Sequence, residues 1–489
     1  MGDQMIKSKN SLKSNMILNI VRNVTNIIIP LVTFPYVVKT LGVDNMGKIN
    51  FSQSIIEYFI LLADLGISTY AVREASSVKN DKSRYGKFVC EIFTINTITC
   101  IVSYLLFVLS TFYIPRLHAY RMLLFIFSTQ IIFNFLGAEW LYISQEDFLY
   151  ITIRGIIFRV FALVCVFIFV HNDQDTLSYA WILVSSTVLT GVVNFVLSGK
   201  YCGLHTTKKP NIENHIKPIM ILFALRVTIT IYVSFDITML GFIKDDYCVG
   251  IYSFSVKIYN ILKTVLAAAI SASIPRFSRL LADQNQEVFF KTAMETYGFL
   301  ITLCVPAITG AIMLRREIIL LLANKSYMEA ELSLVILMAT MFFCIGAYFW
   351  GQCIMVPNRM ENTLFITTLI SAILNVSLNS LLIPIGAEKA AAFTTFAAEA
   401  FCFFRNKYCG RKIFRHNFYL MYRKVLAGCV PILFCTWFLR RTVRNLHAFV
   451  FADIVISVIV YFVVEYYLKN LIVLDLINSV REKFVRRKE

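Results

Sequence analysis

The chain has 489 residues, of which 58% are hydrophobic and 14% aromatic, and its mean hydropathy is +0.68. Charged residues make up 16%, against about 25% in an ordinary soluble domain. This composition excludes a soluble globular protein, because too little polar surface would face water. It predicts an all-α integral membrane protein with many spans.

The net charge of +17 is spread over short segments between apolar stretches. Nucleic-acid binding needs a contiguous basic face on a soluble domain, and no such domain is visible, so no nucleic-acid partner is predicted. The twelve cysteines form no CxxC pair and show no ligand-like spacing with the six histidines. The sequence therefore predicts no disulfide framework, no metal site and no cofactor.

The first apolar stretch, NIVRNVTNIIIPLVTFPYVVKTLG, runs from Asn19 to Gly42 and contains a basic residue, Arg22. On a helix, Asn19, Arg22 and Asn26 lie on one face. A charge inside a bilayer costs about 2.5 kcal/mol or more, and such residues usually face a cavity or a partner. We therefore expect this face to point into the protein.

Apolar windows of about 20 residues, the length that crosses a bilayer, predict fourteen transmembrane helices. The predicted spans are 15–38, 49–70, 88–110, 122–138, 151–170, 178–198, 218–241, 248–273, 295–314, 331–356, 363–383, 390–404, 425–439 and 448–468. With a cytoplasmic N-terminus, the inside segments hold 29 Lys and Arg residues and the outside segments hold 12. This asymmetry follows the positive-inside rule, so we predict that both termini are cytoplasmic.

Basic residues occur inside several predicted spans. They are Arg22, Arg154, Arg159, Arg226, Lys257 and Lys263. Arg154 lies near a cytoplasmic end and is expected to snorkel to the interface. The other basic residues outnumber the acidic residues near them. This excess favours a water-filled cavity that binds an anion. Phosphate fits best, because a guanidinium can hold it through two parallel hydrogen bonds.

Acidic residues inside the spans include Glu57 and Asp64 on span 2 and Asp236 on span 7. These three are the candidates for coupling to protons or sodium ions, because an ionisable group inside a membrane is commonly functional. Glu57 or Asp64 could instead pair with Arg22 on the neighbouring span, which would weaken a substrate role for that arginine.

Neutral polar residues also form stripes on predicted helices, such as Ser371, Asn375 and Asn379 on span 11. Lipid-facing helices rarely carry such stripes, so these faces are expected to point inward. Two interpretations stay open at this point: the stripes bind substrate, or they only hold neighbouring helices together through hydrogen bonds.

A shift of 203 residues aligns GKINFSQSIIEYFILLADLGISTYAVR with GIYSFSVKIYNILKTVLAAAISASIPR at seven positions, including the pair Gly47 and Gly250. Chance agreement between two apolar spans is the alternative. Both stretches follow an outside turn, so the repeat is parallel, about an axis along the membrane normal. We predict a six-span lobe over 1–210, a second six-span lobe over 211–410, and two appended spans with a basic tail over 411–489.

Several short motifs are concentrated in roughly the first 150 residues: Pro30 and Pro35, the turn LGVDNMG, and the segments NFSQSI, LADLGISTYAVRE, CEIFTIN and FLGAEWLYISQED. Together they resemble the N-terminal signature of the Wzx-type flippases, which export lipid-linked O-antigen and other polysaccharide repeat units. That family belongs to a superfamily that also contains the multidrug (MATE) exporters. Farther along the chain, the resemblance rests only on the span count and the repeat.

The resemblance implies a MATE-like bundle of about fourteen helices that works by alternating access. Its cargo would be an undecaprenyl-pyrophosphate-linked oligosaccharide, moved from the cytoplasmic to the periplasmic leaflet of a bacterial inner membrane. Polymerase and chain-length proteins of the same pathway are the implied protein partners. Basic residues of a central cavity would bind the pyrophosphate and the sugars. By this resemblance, Arg22 and Arg226 are the first candidates for that role, and Arg159, Lys257 and Lys263 are the next. Asn19 and Asn26 are candidates as well, because they lie beside Arg22.

Two other functions are weighed against a flippase. A multidrug exporter would favour acids in its cavity, for cationic drugs, whereas cations predominate in these spans. A polysaccharide polymerase or ligase typically needs a large outside loop with catalytic residues, and no connection here exceeds about 25 residues. We therefore expect a transporter rather than an enzyme.

The energy source is open at this stage. The chain has no G-x-x-x-x-G-K-[ST] loop that would bind a nucleotide. The membrane potential could drive export, since each negative charge moved outward gains about 2.3 kcal/mol per 100 mV. Antiport of protons or sodium ions through Glu57, Asp64 or Asp236 is the alternative. Neither the sugar of the repeat unit nor the oligomeric state follows from these residues.

Overall fold

The structure, a computed structural model, describes residues 2–208, 210–283, 285–415 and 418–475, without the side chains of residues 2–24, 26 and 27. Helices are the only regular elements in these ranges. The predicted all-α fold is therefore confirmed.

Sixteen α-helices follow one another along the described chain. They are α1 Gly2–Asp64, α2 Ile67–Val78, α3 Lys82–Tyr113, α4 Pro115–His118, α5 Arg121–Gly137, α6 Glu139–Ser144, α7 Phe148–Phe169, α8 Thr176–Leu197, α9 Ile212–Ile243, α10 Asp246–Ala282, α11 Gln286–Met313, α12 Arg315–Leu322, α13 Ala330–Phe349, α14 Glu361–Gly410, α15 Tyr419–Thr442 and α16 Leu446–Tyr467. A π-helical turn, Trp350–Met355, follows α13 directly. Every predicted span lies, to within about a residue, inside this helical structure, counting the kinked helices and the π-helical turn after α13.

Twelve helical segments of the described chain are long and apolar enough to cross a membrane, as expected of a multi-pass membrane protein. Two of them, Ile28–Val78 with 51 residues and Glu361–Gly410 with 50, are far longer than one span requires. Both are broken inside, at Gly42 (φ 79°) and at Ala387 (φ 46°). Two passes in each would give the predicted fourteen, a count that stays a prediction.

The outward faces of the helices are apolar, the reverse of a soluble protein. On α7, the side chains of Ile153, Ile157, Phe161 and Ile168 are between 49% and 56% exposed. Only 22% of the most apolar window of this helix is buried inside the protein. Hydrocarbon must cover such a surface, because contact of this much apolar area with water is unfavourable.

Internal contacts divide the chain into two compact units, residues 1–250 and 251–489. The helix α9, which the sequence analysis assigns to the second lobe, packs against α1 and α2 in the first unit. This division does not test the repeat, so the predicted boundaries at 210 and 410 stay predictions.

The paired glycines of the predicted repeat lie where the second half of α1 crosses the start of α10. A Cβ on Gly47 would overlap the carbonyl oxygen of Asp246, and a Cβ on Gly250 would overlap the carbonyl oxygen of Val43. The shift of 203 residues exchanges these two contacts, because it maps position 47 onto 250 and position 43 onto 246. Both glycines of the aligned pair thus lie at one tight helix crossing, while the repeat itself stays a prediction.

We expect Gly47→Ala and Gly250→Ala to destabilise the protein, each by about 1–3 kcal/mol, since the added methyl group must push two helix backbones apart. Thermal unfolding of the purified variants in detergent would measure this loss. Gly310→Ala is the matched control, because open space surrounds that position on α11. Equal melting temperatures for all three variants would contradict the tight crossing.

Candidate functional site

The break between α1 and α2 shapes the site. Leu65 (φ 48°) and Gly66 (φ 78°) both adopt the left-handed region, in which glycine is favoured and leucine is strained. The backbone of α9 passes so close that a Cβ on Gly66 would lie 2.9 Å from the amide nitrogen of Phe223. Asp64 then contacts the first turn of α2, since its Oδ1 accepts hydrogen bonds from the Ser68 amide (3.2 Å) and the Ser68 hydroxyl.

Polar side chains of α3 satisfy the backbone near this break. The carbonyl oxygen of Ala63 accepts hydrogen bonds from Asn96 Nδ2 (2.8 Å) and Thr99 Oγ1 (2.6 Å). One turn earlier, the Phe59 carbonyl accepts from Ser103 Oγ (2.6 Å). Because a bilayer offers no water to a broken helix, neighbouring side chains must supply these donors. The polar residues of α3 are therefore explained by the kink beside them.

A buried histidine fixes the start of α9. The Nδ1 of His215 lies 2.8 Å from the Tyr70 hydroxyl on α2, and its Nε2 lies 3.2 Å from Glu91 Oε2 on α3. All three residues are buried. Arg226 follows His215 by eleven residues, which is about three turns, so both lie on the same side of α9.

Arg226 reaches the kink from α9. Its Nη1 lies 4.0 Å from Asp64 Oδ2, and its Nη2 lies 3.5 Å from the Thr69 hydroxyl. Charge-assisted hydrogen bonds are typically about 2.7–2.9 Å long, so the guanidinium is held loosely. Its side chain is 50% exposed. Asp64 thus pairs with Arg226, while Arg22, its predicted partner, lies outside the described side chains.

A cavity of about 460 Å³ lies beside the kink, within the first unit. Four charged residues line it: Glu57 and Asp64 from α1, Glu139 from α6 and Arg226 from α9. Two predicted coupling candidates and one predicted cation thus share one cavity. Its lining carries three carboxylates against one guanidinium, so this cavity is not cationic, and a cationic cavity stays a prediction.

Arg154 lies outside the cavity lining and partly neutralises one of the lining carboxylates, that of Glu139. Its Nη2 lies 3.5 Å from Glu139 Oε2, it donates to Asn194 Oδ1, and its guanidinium lies over the Tyr150 ring at 5.2 Å. The Arg154 residue is only 7% exposed. The expected snorkelling is therefore wrong: a carboxylate, an amide and an aromatic ring hold this arginine inside the protein.

The connection between α6 and α7 is fastened by Asp147, outside the apolar segments. Its Oδ2 accepts hydrogen bonds from the Tyr201 hydroxyl and from Lys200 Nζ (3.1 Å), and its Oδ1 accepts one from the Tyr150 amide (3.4 Å). Burial alone would raise the pKa of the Asp147 carboxyl, but these hydrogen bonds outweigh burial and lower the pKa. These hydrogen bonds hold the connection that follows α6, the helix that carries Glu139.

Other predicted residues of the first unit lie elsewhere or outside the described part. Asp236 is 6% exposed, has an interaction partner and does not line the cavity. Arg159 on α7 also has a partner and lies away from the cavity lining. Asn19, Arg22 and Asn26 lie outside the described side chains, so their predicted roles stay predictions.

The two predicted lysines of the second unit differ in their surroundings. Lys263 Nζ lies 3.8 Å from Glu399 Oε1 and 5.5 Å from the centre of the Tyr259 ring. Lys257 is partly buried, and among the residues described here none forms a hydrogen bond or an ion pair with its ammonium group. Lys257 is therefore the better placed of the two to meet an added anion.

The side chains of the polar stripe on span 11 form hydrogen bonds within the protein. Ser371 Oγ donates to the Ala398 carbonyl (2.7 Å), Asn379 Nδ2 donates to Asn375 Oδ1 (3.1 Å), and Thr394 Oγ1 donates to Asn379 Oδ1. These side chains are at most 1% exposed. Of the two open interpretations, the stripe follows the structural one, because its groups join the two halves of α14.

Sequence reasoning missed the contribution of α5 and α6 to the cavity. Asn134, Glu139 and Trp140 all line it. Glu139 and Trp140 belong to the motif FLGAEWLYISQED, which served only as a sign of family resemblance. Glu139 and Asn134 lie near span ends, where polar residues are common, so their position on a helix gave no separate signal.

Residues 12–281 match the family described as polysaccharide biosynthesis protein. The matched segment is more than half of the chain and contains every residue of the cavity. The chain belongs to this family. Two curated relatives are the "Putative O-antigen transporter" of Escherichia coli (strain K12), 24% identical over 57% of this chain and 67% of that protein, and a protein of the same name from Shigella dysenteriae, 21% identical over 55% and 68%.

Two solved structures resemble this member of the polysaccharide biosynthesis protein family in fold. The lipid II flippase MurJ, in an inward closed conformation, has a TM-score of 0.75 and 15% identity over 95% of this chain and 99% of its own. An outward-facing multidrug resistance MATE transporter of the MOP superfamily has a TM-score of 0.51 and 13% identity over 82% and 96%. The predicted MATE-like fold and the predicted family resemblance are thereby confirmed.

We expect Asn379→Ala to lower the free energy of unfolding by about 1–3 kcal/mol, because it leaves buried partners on α14 without their hydrogen bonds. Ser380→Ala is the neighbouring control, since Ser380 is exposed and its hydroxyl donates to the Val376 carbonyl of its own helix. Thermal unfolding in detergent would measure both variants. Unchanged stability with lost transport in Asn379→Ala would favour a substrate role for the stripe instead.

Proposed function

We propose that this chain is a flippase for undecaprenyl-pyrophosphate-linked oligosaccharide repeat units, which it moves from the cytoplasmic to the periplasmic leaflet of a bacterial inner membrane. The family match over residues 12–281 carries this proposal, and the O-antigen transporter relatives support it. The fold likeness to a lipid II flippase agrees with it. On this proposal the chain transports its substrate without altering it chemically, and both termini are cytoplasmic.

The physical task is to carry a charged, hydroxyl-rich head group through a hydrocarbon layer about 30 Å thick. Water, hydrogen bonds and cations inside the protein replace bulk solvent along the way. The prenyl chain is apolar and can stay in lipid throughout. Alternating access then exposes the bound head group first to one side of the membrane and then to the other.

The pyrophosphate needs cations that are not already neutralised. Lys257 fits best, because its ammonium has no partner in the described part of the chain. Arg226 fits next, because it is half exposed and its contact with Asp64 is long. Lys263 and Arg159 already interact with other groups. Arg22, with Asn19 and Asn26 beside it, keeps its proposed role from the sequence.

The membrane potential is the proposed driving force. Each negative charge that moves outward gains about 2.3 kcal/mol per 100 mV, so a pyrophosphate with more than one charge is driven strongly. Coupling to protons or sodium ions through Glu57, Asp64 or Asp236 is the alternative. Dissipating the potential while keeping the pH gradient in proteoliposomes would separate the two.

The test is complementation of a strain that lacks its own repeat-unit flippase but keeps the matching glycosyltransferases. Wild type should restore surface polysaccharide. We expect Lys257→Ala and Arg226→Ala to lower it about tenfold or more, because a lost charge-assisted hydrogen bond is worth about 1.5–3 kcal/mol. Lys257→Arg and Arg226→Lys should keep part of the activity. Arg84→Ala is the control, since Arg84 is highly exposed and, among the described residues, forms an ion pair with Asp81 alone.

Equal membrane levels of all variants must be confirmed by immunoblotting. If both alanine variants export as well as wild type, these two cations are structural, although the flippase proposal survives. If wild type itself leaves the lipid-linked units in the cytoplasmic leaflet, the flippase proposal fails.

A multidrug exporter is the second candidate, because the described cavity carries three carboxylates, which suit a cationic drug. That function predicts that expression raises resistance to cationic dyes in a strain without drug pumps, and that Glu57→Gln removes the resistance. The family match favours the flippase, so we expect wild type and Glu57→Gln to give the same dye resistance as empty vector.

A further inference from the structure

The charges of the cavity in the first unit are wrong for a pyrophosphate. Glu57, Asp64 and Glu139 face one guanidinium there, and Arg154 behind Glu139 still leaves one excess negative charge. An anion entering this cavity would meet net repulsion in a medium of low dielectric. A neutral ligand would not.

The hydrogen-bonding groups of the same cavity suit a ligand rich in hydroxyls. Each hydroxyl both donates and accepts, so it pairs well with carboxylates, amides and other hydroxyls. In the described part of the chain, the Asn134 amide and the Thr230 hydroxyl have no hydrogen-bond partner, and neither does Asp64 Oδ2. Glu57 lies within hydrogen-bonding reach of Ser234, another lining residue.

The remaining walls are apolar. Trp140 and Phe135 line one part of the cavity, and Ile229 and Val233 of α9 line another. Small-molecule sites typically combine such walls with a few polar groups in a volume of about 300–1,000 Å³, and this cavity of about 460 Å³ falls in that range. A sugar ring, with its apolar faces and its rim of hydroxyls, matches both kinds of lining.

We infer that this cavity is the subsite for the sugars of the lipid-linked substrate, while the pyrophosphate is held outside it by Arg226 and other cations. This inference rests on the proposed function. Arg226 is the most exposed of the four charged lining residues, which places it at the cavity edge. The head group is thus divided: neutral sugars lie against acids and amides, and the phosphates lie against cations.

The test compares two lipids on the purified full-length protein in detergent. One is undecaprenyl pyrophosphate without sugar, and the other is the lipid-linked repeat unit extracted from the host strain. Wild type should bind the sugar-bearing lipid about tenfold more tightly. Asn134→Ala and Glu57→Gln should each weaken binding of that lipid by about 2- to 12-fold, the range for one lost hydrogen bond, and leave binding of the sugar-free lipid unchanged.

Two controls fix the interpretation. Asn211→Ala removes an exposed amide that precedes α9 and makes no capping hydrogen bond, so it should change neither affinity. Arg226→Ala should weaken the binding of both lipids equally, because Arg226 acts on the pyrophosphate. Melting temperatures within a degree or two of wild type would confirm that the cavity variants are folded.

Several results would overturn the inference. One is equal affinity of wild type for the two lipids, and another is equal weakening of both lipids by Asn134→Ala and Glu57→Gln. Displacement of the sugar-bearing lipid by tetraphenylphosphonium, lost in Glu57→Gln, would assign the cavity to organic cations instead. If wild type binds neither lipid, the proposed function itself fails, which is a different result from all of these.

Discussion

The rule that a backbone inside a bilayer must find its hydrogen bonds within the protein governs this structure. At the break after Asp64, the Ala63 carbonyl finds its donors on Asn96 and Thr99 of α3. The same break lets α9 approach Gly66 closely, and that approach brings Arg226 to Asp64. The kink, the contact between Arg226 and Asp64, and the cavity they line therefore all depend on this break.

Polar residues in the spans divide into two groups by how they are used. The first group is fully engaged in holding helices together, as in the chain of hydrogen bonds through Asn375 and Asn379 in α14. The second group has no hydrogen-bond or ion-pair partner within the described ranges, as with the Asn134 amide and the Lys257 ammonium. Only the second group can bind a substrate without first breaking the fold, so it is the better guide to function.

The all-α membrane fold could be predicted from the sequence, because twenty-residue apolar windows report directly on a bilayer. The partners of the charges could not. Asp64 and Arg226 are 162 positions apart, and they meet where α9 packs beside the strained turn at Leu65 and Gly66. Likewise Arg154 looks like an interfacial residue on its helix, and its burial depends on Glu139 and Asn194 from other helices. The residue pattern within one helix cannot predict which residues of other helices will pair with its charged side chains.

The loose pair of Arg226 and Asp64 has a thermodynamic consequence. One guanidinium cannot serve an incoming phosphate and a carboxylate equally, so a phosphate bound at Arg226 takes a cation away from Asp64. Part of the free energy of binding the phosphate is therefore offset by the loss of this contact. Because the contact is 4.0 Å long and the Arg226 side chain is 50% exposed, that loss is small, and Arg226 can exchange one anionic partner for another with little change in free energy.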